Sequence, residues 1–489
     1  MNRLTLTLLM ILAFVEVYPA GMRASGAATI YYVDRAACPG PGSGILADPY
    51  CKIQDAIAGA SAGDTIKVAQ GTYTEPTSTP AGCATANAVM FCVDKSLTLT
   101  GDLDAAYGSG PHAPVIDGAG AEASGFAIAA GVSNVIIQGF EVTNFTNPGA
   151  LLCSLTIGGI GSAINSWNTG ATNITIRSNS LHDLGWNGVL VGSDNGSLQS
   201  GWRVERNVVA NALYAGIELT NVMSSIVRRN KITPRTGTCV IDPGDSGVGI
   251  EIAIRDHGTG VTGGDVTVEY NDMTGVQFDR AGINILARAY VDGANAVLSG
   301  VTVTRNDVLV GGQATGILVT GESRTATNNS ATVENVSIAS NIVKDHADGI
   351  VIRDCGNFDC SVPDPVGTVT ISVNEIKKNI VTFGSGLGIH LGTGADATSV
   401  VSNQSKNNLG NGFLVDSNGN TLVKNLAPNN GGDGIHLALG TTGNLLTKNQ
   451  AKHNTGNGIE DAGSNTCPTT GSNRNIATTN GAANFVGCP

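Results

Sequence analysis

The sequence predicts an all-β fold, a parallel β-helix solenoid wound from a single chain, and three observations carry that prediction. A motif of glycine followed by an apolar, a variable and an apolar residue recurs nine times, at Gly188, Gly216, Gly249, Gly282, Gly316, Gly349, Gly388, Gly412 and Gly434, and a tenth copy at Gly458 ends in aspartate. A second motif, ending in asparagine, alternates with it: ITIRSN, VTVEYN, VTVTRN, VSIASN, VTISVN, TLVKN. In the last repeats the step from asparagine to glycine is nine residues and the step back is thirteen to fifteen, so one turn takes about 22 to 24 residues, the period of a β-helix coil.

The bulk composition agrees. The chain has 489 residues, of which 66 are glycine, with 13% charged and 4% aromatic residues, a glycine-rich globular profile rather than a disordered or collagen-like one. That length ordinarily suggests two or three domains, but a regular repeat grows along one axis and makes a single long domain. Each motif is a short period-two strand whose β-branched residues face one way, with glycine or asparagine where the chain must bend. The asparagines, Asn179, Asn207, Asn230, Asn271, Asn306, Asn341, Asn374, Asn403, Asn425 and Asn449, are expected to stack as a structural ladder about 4.8 Å apart.

Taken in chain order, residues 1–28 read as a cleavable export signal. Arg3 precedes an apolar run of about a dozen residues, and small residues such as Ala20, Gly26 and Ala27 follow. Residues 29–96 are expected to hold an N-terminal cap and the first coils, and 97–489 the remaining coils and a C-terminal cap, continuous with them. No later stretch approaches the roughly 18 apolar residues of a membrane span. Ten cysteines fit an oxidising compartment, because Cys38 with Cys51, Cys83 with Cys92, Cys355 with Cys360 and Cys467 with Cys488 each close a short loop, leaving Cys153 and Cys239 open. Zinc-type CxxC or HxxxH spacing is absent. A formal charge of −12 without a basic run argues against a nucleic-acid partner.

The repeat is stretched in its middle. From glycine to the next asparagine the step is fourteen residues after Gly216, nineteen after Gly188, and 22 to 25 after Gly249, Gly282, Gly316 and Gly349, while the coils after Gly388 are plain. Insertions at one coil position project from one side of a solenoid, so these should stack as a wall of loops beside the glycine-motif strands.

The segment YYVDRAACPGPGSGILADPYCKIQDAIAGASAGDTIKVAQGTYTE, Tyr31 to Glu75, resembles the opening of the pectate-lyase-like superfamily of right-handed parallel β-helices. The resemblance implies a right-handed solenoid whose N-terminal end is closed by an amphipathic cap helix, here about Cys51 to Ala60. The shorter Gly-Ile-x-Leu coils are similar to the carbohydrate-binding and sugar-hydrolysis, NosD-type, repeats. That superfamily spans lyases, glycosidases, epimerases and tailspikes, so fold alone names no reaction. The Asp-Pro-His-Asp run of mannuronan epimerases and the catalytic set of polygalacturonases are both missing, and no pectate-lyase motif is evident.

Candidate functional residues therefore come from position in the coil. In a Gly-Ile-x-Ile strand the isoleucines face the core and the third position faces outward; there successive coils carry Glu218, Glu251 and Asn284. Two carboxylates about 5 Å apart push one pKa upward and suit an acid and base pair, or calcium held by Glu218 and Glu251; a solvated acidic edge is the plain alternative. Arg255 and Arg288 each lie six residues after their glycines and should also stack, an arrangement suited to a uronate carboxylate or a sulfate, with Arg353 near the row and Tyr290 as ring surface or phenolic base. Surface ion pairs with Glu251, Asp256 or Asp354 are the alternative for these arginines. His257 is a candidate general base, oriented by Asp256 or a neighbour. Trp186, with His182 and Asp183, forms a second sugar-binding candidate, and His390 and His436 read as solvent-facing strand residues.

The functional expectation is a protein that is secreted, periplasmic or on the cell surface and that acts on or binds an extracellular polysaccharide. As an enzyme it would be a uronic-acid polymer lyase working by β-elimination. Arg255 and Arg288, with calcium on the glutamates, would neutralise the carboxylate while His257 or Tyr290 removes the neighbouring proton. Hydrolysis by the two glutamates is the second enzymatic version. A non-catalytic adhesion or glycan-binding solenoid is the reading from another class.

Overall fold

The structure is a computed structural model and describes residues 28–80, 82–83, 88–101, 113–121, 123–145, 161–233, 247–274, 278, 280–311, 314–323, 328–355 and 367–488. Residues 1–27 of the expected export signal, together with Cys153, Cys239 and Cys360, lie outside that set. Its strands form three sheets running the length of the molecule, and every strand pairing in them is parallel. One sheet holds the glycine motifs, from Ala88–Val93 to Phe485–Val486; a second holds the strands before the asparagines, from Ile30–Val33 to Ser464–Thr466; the third holds short strands from Thr72–Tyr73 to Ile476–Thr478. The chain visits them in that order once per coil, which is the expected parallel β-helix. Alternate side chains fill one continuous apolar core, with Ile217, Ile250, Ile283 and Ile317 stacked down its axis and fully buried.

The N-terminal end closes as expected. Helix Ile53–Gly59 packs Ile53, Ala56 and Ile57 into the core, and the Glu75 carboxylate accepts the backbone N–H groups of Ile53 (2.7 Å) and Gln54 (3.3 Å) that a helix start leaves unpaired. Disulfides join Cys38 to Cys51, Cys83 to Cys92 and Cys467 to Cys488, and Cys355 is also disulfide-bonded. Among the described residues no helix is long and apolar enough to cross a membrane.

The coils are registered by a ladder of buried asparagines at the corner between the second and third sheets. Asn306 donates Nδ2 to Asn341 Oδ1 (3.0 Å) and to the Val268 carbonyl (2.9 Å), while its own Oδ1 accepts the Asn271 backbone N–H (2.9 Å) and Nδ2 (3.0 Å). The same contact runs unbroken from Asn179 to Asn475. One expected member is corrected: the rung after Asn341 is Asn379, not Asn374, which lies inside strand Thr368–Lys377. The reason is local. The residue before every rung except the last is left-handed, at Ser178, Arg206, Arg229, Tyr270, Arg305, Ser340, Lys378, Ser402, Lys424 and Lys448, and β-branched Val373, which precedes Asn374, is badly suited to that conformation.

In the Gly249, Gly282 and Gly316 coils the described insertions are strand rather than loop, whereas the stretch 193–198 after Gly188 is irregular. The strand insertions lengthen both sides of one corner, giving Val248–Asp256 with Val261–Glu269, Ala281–Ala289 with Asn295–Thr304, and Thr315–Ser323 with Ser330–Ala339. Ile254, Ala287 and Ala289 are buried with Val261, Ala296 and Leu298, so each widened coil carries an apolar extension of the main core. The wall exists, built of sheet: backbone groups in a stack of coils are satisfied most fully by extending the ladder.

Replacing a ladder asparagine strips partners from two neighbouring coils at once. Asn306→Ala should cost about 2 to 4 kcal/mol, because the Val268 carbonyl and the Asn271 N–H lose buried hydrogen bonds, measured as a lowered denaturant midpoint; an unchanged midpoint would mean that the ladder contributes nothing net.

Candidate functional site

The outer face of the glycine-motif sheet differs between the two halves of the solenoid. On plain coils the outward position is partly open, as at His390 and His436, whereas on widened coils both faces are buried along Val248–Asp256 and Ala281–Ala289, except for partly open Arg255. Glu218, Glu251 and Asn284 do align in register as one column. They point outward yet are covered, with at most 1% of each residue exposed, so the solvated acidic edge is not what forms.

Buried carboxylates require partners. Arg255, only four residues after Glu251 and on the same side of the strand, lays its guanidinium against Glu251, reaches Glu218 Oε1 at 3.3 Å and donates to the Tyr214 hydroxyl at 2.9 Å. Asn187 (2.7 Å) and Thr220 (3.0 Å) donate to Glu218, and Asn284 Nδ2 donates to Glu251 at 3.0 Å. Burial pushes the Glu218 carboxyl up to about 7; Arg255 opposes that shift and Glu251 adds to it. The expected calcium does not fit here. The guanidinium takes the place between the carboxylates where a cation would lie, and the amide and hydroxyl groups around them act as donors rather than as the six or more oxygen ligands calcium needs.

Arg255 and Arg288 stack in register, and the row continues into Glu322. The anion that lets the arginines lie together is thus supplied by the chain. Arg288 is fully buried and bidentate on Glu322, at 2.5 and 3.1 Å, and donates to the Tyr290 hydroxyl at 3.1 Å; Arg280 reaches the same carboxylate at 3.0 Å. Arg353 lies beside Thr320, set back from the row, with Asp348, Arg280 and Glu322 as its charged neighbours.

Aromatic rings stand on both flanks of this charged floor. Trp186 stacks on Tyr214, with centroids 4.7 Å apart, at the end where the strands begin; His257 stacks on Tyr290, at 4.3 Å, where they end. The acidic neighbour of His257 is Asp194 of an earlier coil, 3.7 Å away, and not Asp256, whose carboxylate accepts the backbone N–H groups of Gly258, Thr259, Gly260 and Asn295 and so fixes the turn. Asp194 also accepts the Trp167 indole N–H at 3.0 Å, and a β-carbon at Gly192 would lie 2.3 Å from that ring, so only glycine admits it. Trp167, Asp194, His257 and Tyr290 thereby form a continuous ledge along the axis. Burial holds the His257 pKa below its ordinary value, with Arg255 adding to the effect and Asp194 opposing it. His182 belongs elsewhere: it lies on the third sheet, bonded to Asp183 (2.8 Å) and Glu141 (3.2 Å), apart from Trp186.

Sequence reasoning overlooked Trp167, Asp194, Tyr214, Arg280 and Glu322. For four of them a signal was present in the coil offsets. Glu322 and Asp194 follow Gly316 and Gly188 by six residues, the spacing of Arg255 and Arg288, while Tyr214 and Arg280 precede their glycines by two, as Trp186 does.

The family described as "Right handed beta helix region" matches residues 162–331 and 315–482. No curated protein matches the chain. Among solved structures, the tailspike protein of Escherichia coli bacteriophage HK620, in complex with a pentasaccharide, is 12% identical over 88% of this chain and 73% of its own, with a TM-score of 0.51. The A-module of a mannuronan C-5 epimerase from Azotobacter vinelandii is 13% identical over 89% and 93%, with a TM-score of 0.40.

The Glu218 carboxyl has a measurable consequence. Its folded pKa, about 7, lies above the ordinary 4.5, so folding takes up a proton between those values. The associated stability is complete below about 4.5 and is lost as pH rises through 7. Denaturation midpoints from pH 4.5 to 8 should show the protein losing stability relative to Glu218→Gln, by on the order of 3 kcal/mol; parallel curves would place the titration elsewhere.

Proposed function

The chain belongs to the right-handed β-helix family, and on that premise we propose that it binds a polysaccharide along the outer flank of its widened coils. One observation carries the reading: the ledge of Trp167, Asp194, His257 and Tyr290 follows the solenoid axis, with the Asp194–His257 contact spanning the Gly216 coil that lies between them. Sugar rings stack on flat aromatic faces through their C–H bonds, and a carboxylate between rings accepts from sugar hydroxyls. A polymer with a repeated unit matches a surface built by translation. The tailspike with a similar fold was solved with a pentasaccharide, which supports the same class of ligand.

The chemistry of the floor favours a neutral polymer. Arg288 is sealed against Glu322, and Arg255 faces Glu218 and Glu251, so neither cation is available to a uronate carboxylate. Asp194 is exposed and the chain carries a net −12, which repels polyanions. β-Elimination on a uronic-acid polymer, which needs those cations, loses support. An exported location, whether secreted, periplasmic or at the cell surface, belongs to this reading and rests on the disulfides.

A second reading, retaining glycoside hydrolysis, is favoured by one observation. Glu218 and Glu251 are adjacent rungs about 5 Å apart, the separation of an acid and a nucleophile in retaining enzymes, and Glu218 is raised to about 7, as an acid requires. Against it stands their burial beneath Arg255 and Tyr214.

Affinity electrophoresis through gels of neutral glucans, mannans and xylans, beside alginate and pectate, tests the proposal. Retardation is expected in a neutral polymer, and Trp167→Ala or His257→Ala should weaken it about tenfold, a loss of roughly 1.4 kcal/mol. Retardation by no polymer, or by alginate and pectate alone, would overturn the proposal. New reducing ends that vanish in Glu218→Gln would favour hydrolysis, and unsaturated products would restore the lyase.

A further inference from the structure

On the plain coils, far along the chain from the aromatic ledge, the outward column of the glycine-motif sheet runs His390, Leu414, His436, Glu460 and Val486. Most of these positions are simple. His390 has one acidic partner, Asp416, at 2.8 Å, and Leu414 and Val486 are apolar. At His436 the pattern changes. Its Nδ1 faces Asp433 Oδ2 at 2.9 Å and Glu460 Oε2 at 3.5 Å, and the three atoms lie within 4.8 Å of one another.

We propose that Asp433, His436 and Glu460 bind one divalent transition-metal ion, for which zinc is the matching probe. The first argument is convergence. A ring N–H makes one linear hydrogen bond and only a weaker, shared contact to a second acceptor, yet two carboxylates converge on this nitrogen; a dication balances two carboxylates where a single imidazolium cannot. The second is size: zinc ligands about 2.0–2.1 Å from a tetrahedral centre lie about 3.3 Å apart, and the two separations from His436 Nδ1, 2.9 and 3.5 Å, bracket that value. Two carboxylates and one imidazole are a donor set suited to zinc and other first-row divalent ions.

The surroundings hold the donors in place. The Asn457 backbone N–H donates to Asp433 Oδ1 at 2.5 Å, leaving Oδ2 to face the centre, and Asn457 Nδ2 donates to Glu460 Oε2 at 2.7 Å. Asn411 Oδ1 accepts the Asp433 N–H at 2.7 Å, tying the turn to the preceding coil. Such outer contacts orient ligands and sustain affinity. Side-chain exposures of 14% for Asp433, 25% for His436 and 23% for Glu460 leave a solvent path and room for water as a fourth ligand. His436 and Glu460 are neighbours because their strands pair in register, so the proposed centre also clamps two coils together.

The test uses the full chain without an affinity tag, stripped with chelator and titrated with zinc chloride by calorimetry. One zinc per chain is expected, with a rise in Tm on addition. His436→Ala and Glu460→Gln should each weaken binding at least tenfold, the latter preserving the shape of the side chain so that folding is not at issue. His390→Ala, in the same column with a single acidic partner, should bind as the unaltered protein does. Absence of zinc heat and of a Tm shift in the folded protein, or equal binding by His436→Ala, would overturn the proposal and leave an ion-pair cluster.

Discussion

From Asn179 to Asn475, each coil of this protein is tied to the next through a buried amide. The asparagine at the corner between the second and third sheets bonds its equivalents above and below and satisfies backbone groups that the turn would otherwise leave unpaired in the core. An unpaired buried polar group is costly, so a slipped coil would forfeit several bonds together. Register is thereby fixed at one corner and carried around the coil by the parallel ladders. Everything that lies on the surface as a column or a row, whether the glutamates, the arginines or the ring ledge, exists because that register does not drift.

The plain C-terminal coils repeat the device. A second amide ladder links Asn408, Asn430, Asn454, Asn480 and Asn484 at another corner, and a third links Asn420, Asn444 and Asn465. The widened coils have instead a larger apolar cross-section and a buried charge network. Burying Glu218, Glu251 and Glu322 is tolerated because arginines from the same or the neighbouring strand arrive with matched geometry. Removing one partner from such a network leaves a charge in a medium that cannot solvate it. The network therefore constrains the outer face strongly while leaving little charge for a ligand, which is why exposed His257 and the partly open rings of Trp167, Trp186 and Tyr290 are the better candidates for contact.

Much of this was legible in the residues. The period, the inward and outward alternation, the cap helix and the disulfides at Cys38, Cys83 and Cys467 follow from spacing or from the family resemblance, since a solenoid turns sequence periodicity directly into spatial neighbours. Where the reading failed, the failures are specific. Asn374 satisfies the motif, yet the left-handed residue that precedes every rung from Asn179 to Asn449 disfavours valine, and that signal lies in the sequence. Glu322 shares the offset of Arg255 and Arg288, so the self-neutralising arginine row could have been extended by one coil.

By itself the sequence determined the solenoid, its registered columns and the location of the enlarged coils, because each depends on periodicity along one chain. Only the tertiary structure decided that the insertions of the Gly249, Gly282 and Gly316 coils continue as sheet, that the outward column of Glu218, Glu251 and Asn284 is covered, and that the arginines are matched within the chain. Those outcomes depend on how far a side chain reaches across coils and on what lies above the sheet, and neither distance along the chain nor residue type encodes that. Trp167 and Asp194 show the same limit. They meet His257 and Tyr290 across several coils, through contacts that arise only once the stacking is complete.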